Sequence, residues 1–211
     1  MKKKKFNETM ILKALDWAYE RALTSIPFPG VDNSITLAQN YLQQSGTLAK
    51  QVNSLIRWQN TKAASIGFVT GLGGAIVLPV MVPSNIVSIL FIQVRMIAAI
   101  AMMGGHDLKD DKVKTLVFMC MCGSSAADLL KTFSMNMGKH ALLKVNQEVI
   151  KKINTAVGIR LLARSSESGA VSLTKMIPLF GGVIGGAFDG VTTSIIGKTA
   201  KKVFITLEER V

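Results

Sequence analysis

The side chains best suited to acid–base chemistry or metal binding lie in one polar stretch, His106-Asp107-Leu108-Lys109-Asp110-Asp111. An imidazole and three carboxylates form a donor set that hard cations accept. Carboxylates this close together more simply cap the start of a helix, where the helix dipole favours negative charge. The sequence has two histidines and neither a His-x-x-x-His nor a Cys-x-x-Cys spacing. We therefore expect no metal site and no cofactor.

Motifs for nucleophilic catalysis are missing from the sequence. It contains no Gly-x-Ser-x-Gly elbow and no phosphate-binding Gly-x-x-x-x-Gly-Lys-Ser/Thr loop. Cys120 and Cys122 are the two cysteines, which excludes a four-thiolate site and predicts buried free thiols in a reducing compartment. The sequence predicts no catalytic residue and favours a non-enzymatic protein. A lipid-acting hydrolase is the less favoured alternative, because no nucleophile–base pair is visible.

Two isolated acids, Asp128 and Asp189, lie in largely apolar stretches and are predicted to be buried. A buried carboxylate must be paired or protonated, since desolvation disfavours its charge. One interpretation is that a basic side chain pairs with each of them. The candidate partners are Arg95, Lys131, Lys175 and Lys198. The other interpretation is a polar site at the centre of the fold.

The composition is both apolar and basic. The 211 residues carry a formal net charge of +12, yet 49% are hydrophobic and only 18% are charged. This hydrophobicity excludes an intrinsically disordered chain, and two cysteines exclude a disulfide scaffold. Nucleic-acid binding would require basic residues interleaved with aromatic ones, but aromatic residues make up only 6%. We expect one folded domain that does not bind nucleic acid.

The longest uncharged run, residues 63–94, spans 32 residues and exceeds the length that a membrane-spanning helix needs. Glycines loosen its first half, and Pro79 and Pro83 interrupt it, so it predicts two helices that meet at an apolar turn. Buried core is the favoured interpretation, and a membrane-inserting element or a true span are the alternatives. A second glycine-rich segment follows Pro178. The glycines concerned are Gly67, Gly71, Gly73, Gly74, Gly181, Gly182, Gly185 and Gly186. Their small-xxx-small spacing allows close helix packing.

Helical periodicity dominates and strand signals are poor, which predicts an all-α single helical bundle with two glycine-rich apolar helical hairpins. A basic N-terminus and a first amphipathic helix, residues 1–30, precede a helical domain at 31–211. We expect the first two helices to be detachable, because the Pro-Phe-Pro-Gly joint at 27–30 is the clearest linker. Gly46 is predicted to split the second helical pattern.

Several helix boundaries are also predicted. A helix begins after Pro83 and ends at Gly104-Gly105, where a left-handed cap belongs. The next begins near Asp110 and continues towards Leu130. Residues 139–157 form a basic amphipathic helix, and the last helix ends near Glu208.

Three segments together resemble the EcsC family: residues 59–74, Ala101 to Asp107, and Lys175 to Ala187. The resemblance covers roughly residues 38–206. Family members often have an aspartate where this chain has Ser84-Asn85, and a Tyr-Gly-Phe-Asp-like turn where it has Gly104-Gly105-His106-Asp107. The resemblance implies a bacterial, helical, cytoplasmic or membrane-peripheral protein without established enzymatic activity. The family's namesake is encoded beside an ABC transporter, which implies a transporter-like membrane partner.

The charge pattern predicts a membrane-facing role. Lys2, Lys3, Lys4 and Lys5 precede an amphipathic helix that contains Trp17, an arrangement typical of a surface anchor. We expect a cytoplasmic, non-enzymatic protein that binds anionic membrane at the inner face of the cell membrane and engages a membrane protein there. The alternative is a carrier of lipid or another hydrophobic ligand with an adaptable methionine lining. Its lining would comprise Met81, Met96, Met102, Met103, Met119 and Met121.

Overall fold

The computed structural model describes residues 8–24, 31–64, 84–132, 145–165 and 184–205, to which all structural statements refer. These parts form α-helices without any strand, so the predicted all-α class is confirmed. The eight helices described are α1 (Glu8–Leu23), α2 (Ser34–Leu42), α3 (Leu48–Ala64), α4 (Ser84–Met103), α5 (Asp111–Cys120), α6 (Ala126–Thr132), α7 (Gln147–Ser165) and α8 (Ile184–Phe204).

Side-chain caps begin two of the helices as their sequences predict. Asn33 has an extended backbone before α2, and its side chain accepts a hydrogen bond from the Thr36 N–H at 2.8 Å. Asp110 does the same for α5, accepting from the Lys112 N–H at 2.8 Å. Each cap satisfies a backbone donor that has no partner inside the helix. The predicted start near Asp110 is therefore confirmed.

Glycines with positive φ set two of the predicted breaks. Gly46 has a φ of 115° and separates α2 from α3, as predicted. At the end of α4, Gly105 has a φ of 77°, and its N–H donates to the Met102 carbonyl at 2.9 Å. The His106 N–H donates to the Ala101 carbonyl at 3.1 Å, which completes a Schellman cap.

The prediction of one helix from Asp110 towards Leu130 is wrong. Helix α5 ends at Cys120, a short 3-10 turn covers Gly123–Ser125, and α6 begins at Ala126. Gly123 has a φ of 59°, which interrupts the right-handed hydrogen-bond ladder. The apolar periodicity continues across this break, so periodicity alone did not reveal it.

Helix α4 is the centre of the core, and α1, α2, α3, α5 and α8 all pack against it. Every residue from 90 to 101 is buried. Helix α1 also packs against α7, and Leu15 and Ala18 on its inner face are fully buried. The expectation that the first two helices detach is therefore wrong, because they share this core. The domain boundary at residue 30 lies outside the described residues and stays a prediction.

The directions of α3, α4 and α8 follow from contacts between them. Gln93 of α4 meets Thr193 of α8, and Gly104, directly after α4, meets Phe204 at the end of α8, so these helices are parallel. Helix α3 runs the opposite way, because Asn53 contacts Lys201 whereas Ile56 packs against Gly197. The C-terminal end of α3 and the N-terminal ends of α4 and α8 therefore lie at the same end of the bundle.

Candidate functional site

The largest fully buried side chain is that of Arg95, which is 1% exposed at the centre of α4. Its Nη1 donates to the Asp32 carbonyl and its Nη2 to Gln59 Oε1, both at 2.9 Å. Its guanidinium carbon lies 5.7 Å from the centroid of the Phe91 ring. The backbone carbonyl of Arg95 accepts from Ser34 Oγ at 3.3 Å. One residue thus ties α2 and α3 to α4.

The guanidinium of Arg95 is incompletely satisfied. Within the described residues, neither Arg95 Nε nor Gln59 Nε2 has an acceptor, although both are buried. Burial lowers the pKa of Arg95 to about 10, against the opposing effects of the Asp32 carboxylate and Tyr41. The side chain therefore keeps its charge at neutral pH. The side chains of Arg95 and Gln59 are buried, so they hold the helices in position and cannot react with molecules in solvent.

Gln93 makes a second buried polar contact on the other side of α4. Its Nε2 donates to Thr193 Oγ1 of α8 at 3.0 Å, and both side chains are buried. Unpaired polar groups in a core are costly, so this contact favours one register of α8 against α4.

The predicted burial of Asp128 is wrong. Asp128 is exposed in the first turn of α6, where the N-terminal end of the helix dipole favours a carboxylate. Leu129 and Leu130, which follow it, occupy the buried face instead. Asp189 belongs to α8, but its side chain lies outside the described residues, so its predicted burial stays a prediction.

Most of the predicted membrane-contact residues cannot be placed. Lys2 to Lys5 and six of the eight glycines lie outside the described residues. Gly185 and Gly186 are in the first turn of α8, and the hairpins predicted around the glycines stay a prediction. Trp17 is half-buried and packs against the hydrophobic core, so part of its ring area serves the fold.

The residues of the His106 stretch contact the end of α8 and cap the start of α5. His106 Nε2 lies 3.2 Å from the Phe204 carbonyl oxygen, and the two rings meet edge to face. Asp107 accepts a hydrogen bond from the Lys109 N–H, and Asp110 caps α5. Among the described residues, no group of three His, Cys, Asp or Glu side chains is placed to hold a metal ion. Both cysteines are free thiols, of which Cys120 is buried, as predicted, and Cys122 is half-buried.

A strongly basic surface lies on the packed pair α3 and α8. Lys201 Nζ donates to Asn53 Oδ1 at 3.1 Å and joins the outer sides of the two helices. Helix α3 contains no acid, and α8 contains Asp189 alone. We call the following residues the basic face: Lys50, Arg57, Lys198, Lys201 and Lys202. Four of these side chains are exposed, and that of Lys201 is partly exposed.

The charges on the α1 and α5 side are compensated instead. Lys114 Nζ lies 2.7 Å from Asp16 Oδ1, and it also lies 5.7 Å from the ring centroids of Tyr19 and Phe118. Acidic residues also cap α5. The described helices therefore carry their positive charge unevenly, and α3 and α8, which contain one acid between them, carry the basic face.

A smaller basic strip occurs on α7. Lys151, Lys152 and Thr155 border a shallow apolar cleft that includes the exposed Ile159. Lys152 forms an ion pair with Glu148, which offsets part of the positive charge. This strip is therefore weaker in charge than the basic face.

Three large apolar side chains are exposed near one end of α3 and α8. Trp58 is 53% exposed, Val191 62% and Ile195 41%. They lie closer than the basic face to the shared end of α3, α4 and α8, which we call the apolar end. The sequence around this end is poor in charge, because 58–94 contains Lys62 alone and 176–197 contains Asp189 alone.

The sequence analysis missed Trp58, Lys50 and Arg57 as surface candidates. Within its own helix, none of the three has a neighbour that marks it as part of a binding surface. The surface forms only when α3 pairs with α8, and these helices begin 136 residues apart. A local signal existed for Lys50 and Arg57, since they lie on one side of a helix without acids. None of the described helices is long and apolar enough to cross a membrane.

These features of the described residues define a class: an all-α bundle with a buried arginine at its centre and a basic face on α3 and α8. The chain matches the model of the EcsC protein family over residues 7–206 and therefore belongs to the EcsC family. The predicted resemblance is thus confirmed, and the match extends it to include α1. No curated protein matches the chain, and no solved structure matches it either.

Proposed function

We propose that this EcsC-family protein binds the anionic inner face of the cell membrane peripherally, catalyses no reaction itself, and engages a membrane protein there. The basic face is the observation that carries the proposal. A transporter-like partner is suggested by the family's namesake, as the resemblance implies.

Basic residues outnumber acidic ones on the packed pair α3 and α8, which together contain one acid, Asp189. Each Lys or Arg held near an anionic leaflet contributes about 1 kcal/mol, and this attraction extends over a Debye length of about 8 Å at physiological salt. Lys198 and Lys202 are exposed on the same side of α8, one helical turn apart. Lys50 and Arg57 add charge from α3. The lysines at positions 2–5 supply further attraction.

The methionine positions do not favour the alternative function, a hydrophobic-ligand carrier. Met96 and Met119 are fully buried, and Met103 and Met121 are nearly so, within one contiguous hydrophobic core. Met102 packs against that core, and Met81 lies outside the described residues. In these positions the described methionines serve packing.

Neutralising two lysines of the basic face tests the proposal. In Lys198→Gln/Lys202→Gln, we expect affinity for vesicles containing phosphatidylserine to fall roughly 30-fold, since two contributions of about 1 kcal/mol are lost. The fold should be unchanged because both side chains are exposed. Vesicle co-sedimentation measures the loss. Deleting residues 2–5 should separately weaken binding and its salt dependence.

The matched control is Lys13→Gln/Lys109→Gln, which removes the same charge from exposed positions on the α1 side. We expect this pair to lower affinity less than about threefold, because acidic residues surround it. Equal losses in the two double variants would show that net charge alone matters and would refute a role for the basic face.

A further inference from the structure

The apolar end gathers segments that are far apart in sequence. Helix α3 ends there at Ala64, α4 begins there at Ser84, and α8 begins there at Ile184. The described parts of the two charge-poor stretches, 58–64 and 84–94 in one and 184–197 in the other, therefore lie towards one end of the bundle. The sequence alone does not show this, because it depends on α4 and α8 being parallel and on α3 being antiparallel to them.

Charge changes abruptly along the axis of this bundle. Since Ile56 packs against Gly197, Arg57 of α3 and Lys198 of α8 lie at nearly the same height. Beyond that height towards the apolar end, α3 carries one further charged residue, Lys62, and α8 carries one, Asp189. On the other side of it lie Lys50, Lys201 and Lys202. The pair of α3 and α8 is therefore polarised lengthwise.

The exposed apolar side chains lie just inside this charge boundary. Trp58 follows Arg57 and is level with Ile195, and Val191 lies one turn further towards the apolar end. At a rise of 1.5 Å per residue, Val191 is about 10 Å and Ile195 about 16 Å from the start of α8. Tryptophan next to basic residues suits the headgroup layer of a membrane, where amphipathic rings collect.

We infer that the protein docks end-on: the apolar end enters the interfacial layer of an anionic bilayer, and Arg57 and Lys198 contact the lipid phosphates. This inference rests on the proposed function and adds the orientation and depth of binding. Val191 lies deepest of the three apolar side chains, and Trp58 and Ile195 lie at headgroup level. The bilayer is the fitting occupant because exposed apolar side chains beside basic ones complement acyl chains below anionic headgroups.

A side-on arrangement is the competing geometry. It would lay the whole basic face on the lipid surface and place Lys50 at the same depth as Arg57. End-on docking places Lys50 about 10 Å further from the bilayer, because seven residues of helix separate the two. The contribution of Lys50 distinguishes the two geometries: in end-on docking Lys50→Gln should weaken vesicle binding less than Arg57→Gln does, whereas side-on docking predicts equal losses.

The two tryptophans of the chain give a matched pair of probes. In the variant Trp17→Phe, the remaining Trp58 should shift its emission to shorter wavelength on phosphatidylserine vesicles and be quenched by shallowly brominated lipids. In Trp58→Phe, the remaining Trp17 of α1 packs against the hydrophobic core of the protein and should show little change. Co-sedimentation of the same samples measures binding, so that a bound protein whose tryptophan emission does not change is distinguished from an unbound protein.

A second pair of variants tests depth without tryptophan. Val191→Asp should weaken vesicle binding about tenfold, because an exposed apolar contact becomes a charge in the interface. Ile159→Asp makes a comparable change at an exposed residue of α7, a helix that packs against α1 and α5, and should weaken binding less than threefold. Both positions are exposed, so both variants should fold.

Two results would overturn end-on docking while the proposed function stands. One is strong binding with no quenching of Trp58; the other is strong binding with equal effects of Val191→Asp and Ile159→Asp. Quenching of both tryptophans to the same extent would also contradict it, since Trp17 would then lie equally deep. Absence of binding to any vesicle would defeat the proposed function as well.

Discussion

Replacing Arg95 by alanine is expected to lower the free energy of unfolding by about 3 kcal/mol. The change empties the volume of the largest fully buried side chain and removes the donors to the Asp32 carbonyl and Gln59 Oε1. Cavities of this size cost about 2–5 kcal/mol, and each buried acceptor left unpaired costs about 1–3 kcal/mol. Part of this destabilisation is offset, because the alanine variant no longer has to keep a positive charge away from water.

Arg95→Met separates packing from charge. Methionine fills most of the volume and carries no charge, so we expect its stability to lie within about 1.5 kcal/mol of the unchanged protein. Denaturant unfolding of both variants, monitored by circular dichroism, measures the difference. If Arg95→Met proves as unstable as Arg95→Ala, the polar contacts of Arg95 outweigh its packing and this account of the core is wrong.

The charge of Arg95 also predicts a pH dependence. Burial lowers its pKa in the folded state to about 10 from an ordinary value of 12.5. Between these values the unfolded chain binds more protons than the folded one, so stability rises with pH in this window. Between about pH 9 and 11, the unchanged protein should gain about 1 kcal/mol relative to Arg95→Met. Comparing the two proteins cancels the titration of lysines and tyrosines that they share.

Gly104→Ala is expected to destabilise the protein by about 2–4 kcal/mol. An alanine Cβ would lie 2.5 Å from the Phe204 carbonyl oxygen and 3.2 Å from side-chain atoms of His106 and Ile205. A backbone carbonyl cannot rotate aside as a flexible side chain can, so the end of α8 would have to move away from α4. The His106–Phe204 contact would be lost with it.

The neighbouring substitution Gly105→Ala is the control. Gly105 has a φ of 77°, but an added Cβ there meets no atom within 4 Å. Its expected loss is about 1 kcal/mol, the cost of left-handed backbone in an L-residue. Thermal and urea unfolding should therefore rank Gly104→Ala as clearly less stable. The reverse ranking would contradict the close approach of α8 to the end of α4.

Local signals explain what the sequence predicted correctly. Caps, breaks and helix ends depend on a few neighbouring residues: Asp110 before its helix, Gly46 between α2 and α3, and Gly104-Gly105 after α4. Such features follow from backbone geometry and short-range hydrogen bonds. The class of the fold followed because helical periodicity held over most of the chain.

Long-range pairing explains what the sequence did not reveal. Arg95 meets the Asp32 carbonyl across 63 residues, and Gln93 meets Thr193 across 100 residues. The basic face exists only because α3 lies against α8. Asp128 was predicted buried from the apolar character of its surroundings, but helical rotation turns it outward while Leu129 and Leu130 face the core.

Selectivity for anionic lipid is the most direct measurement of the central claim. The unchanged protein is mixed with vesicles of phosphatidylcholine alone or of phosphatidylcholine with phosphatidylserine, and the bound fraction is measured by co-sedimentation at low and high salt. We expect strong binding to the anionic vesicles, little to the neutral ones, and a steep decline as salt screens the basic face. Equal binding to both kinds of vesicle, or binding to neither, would contradict the proposal.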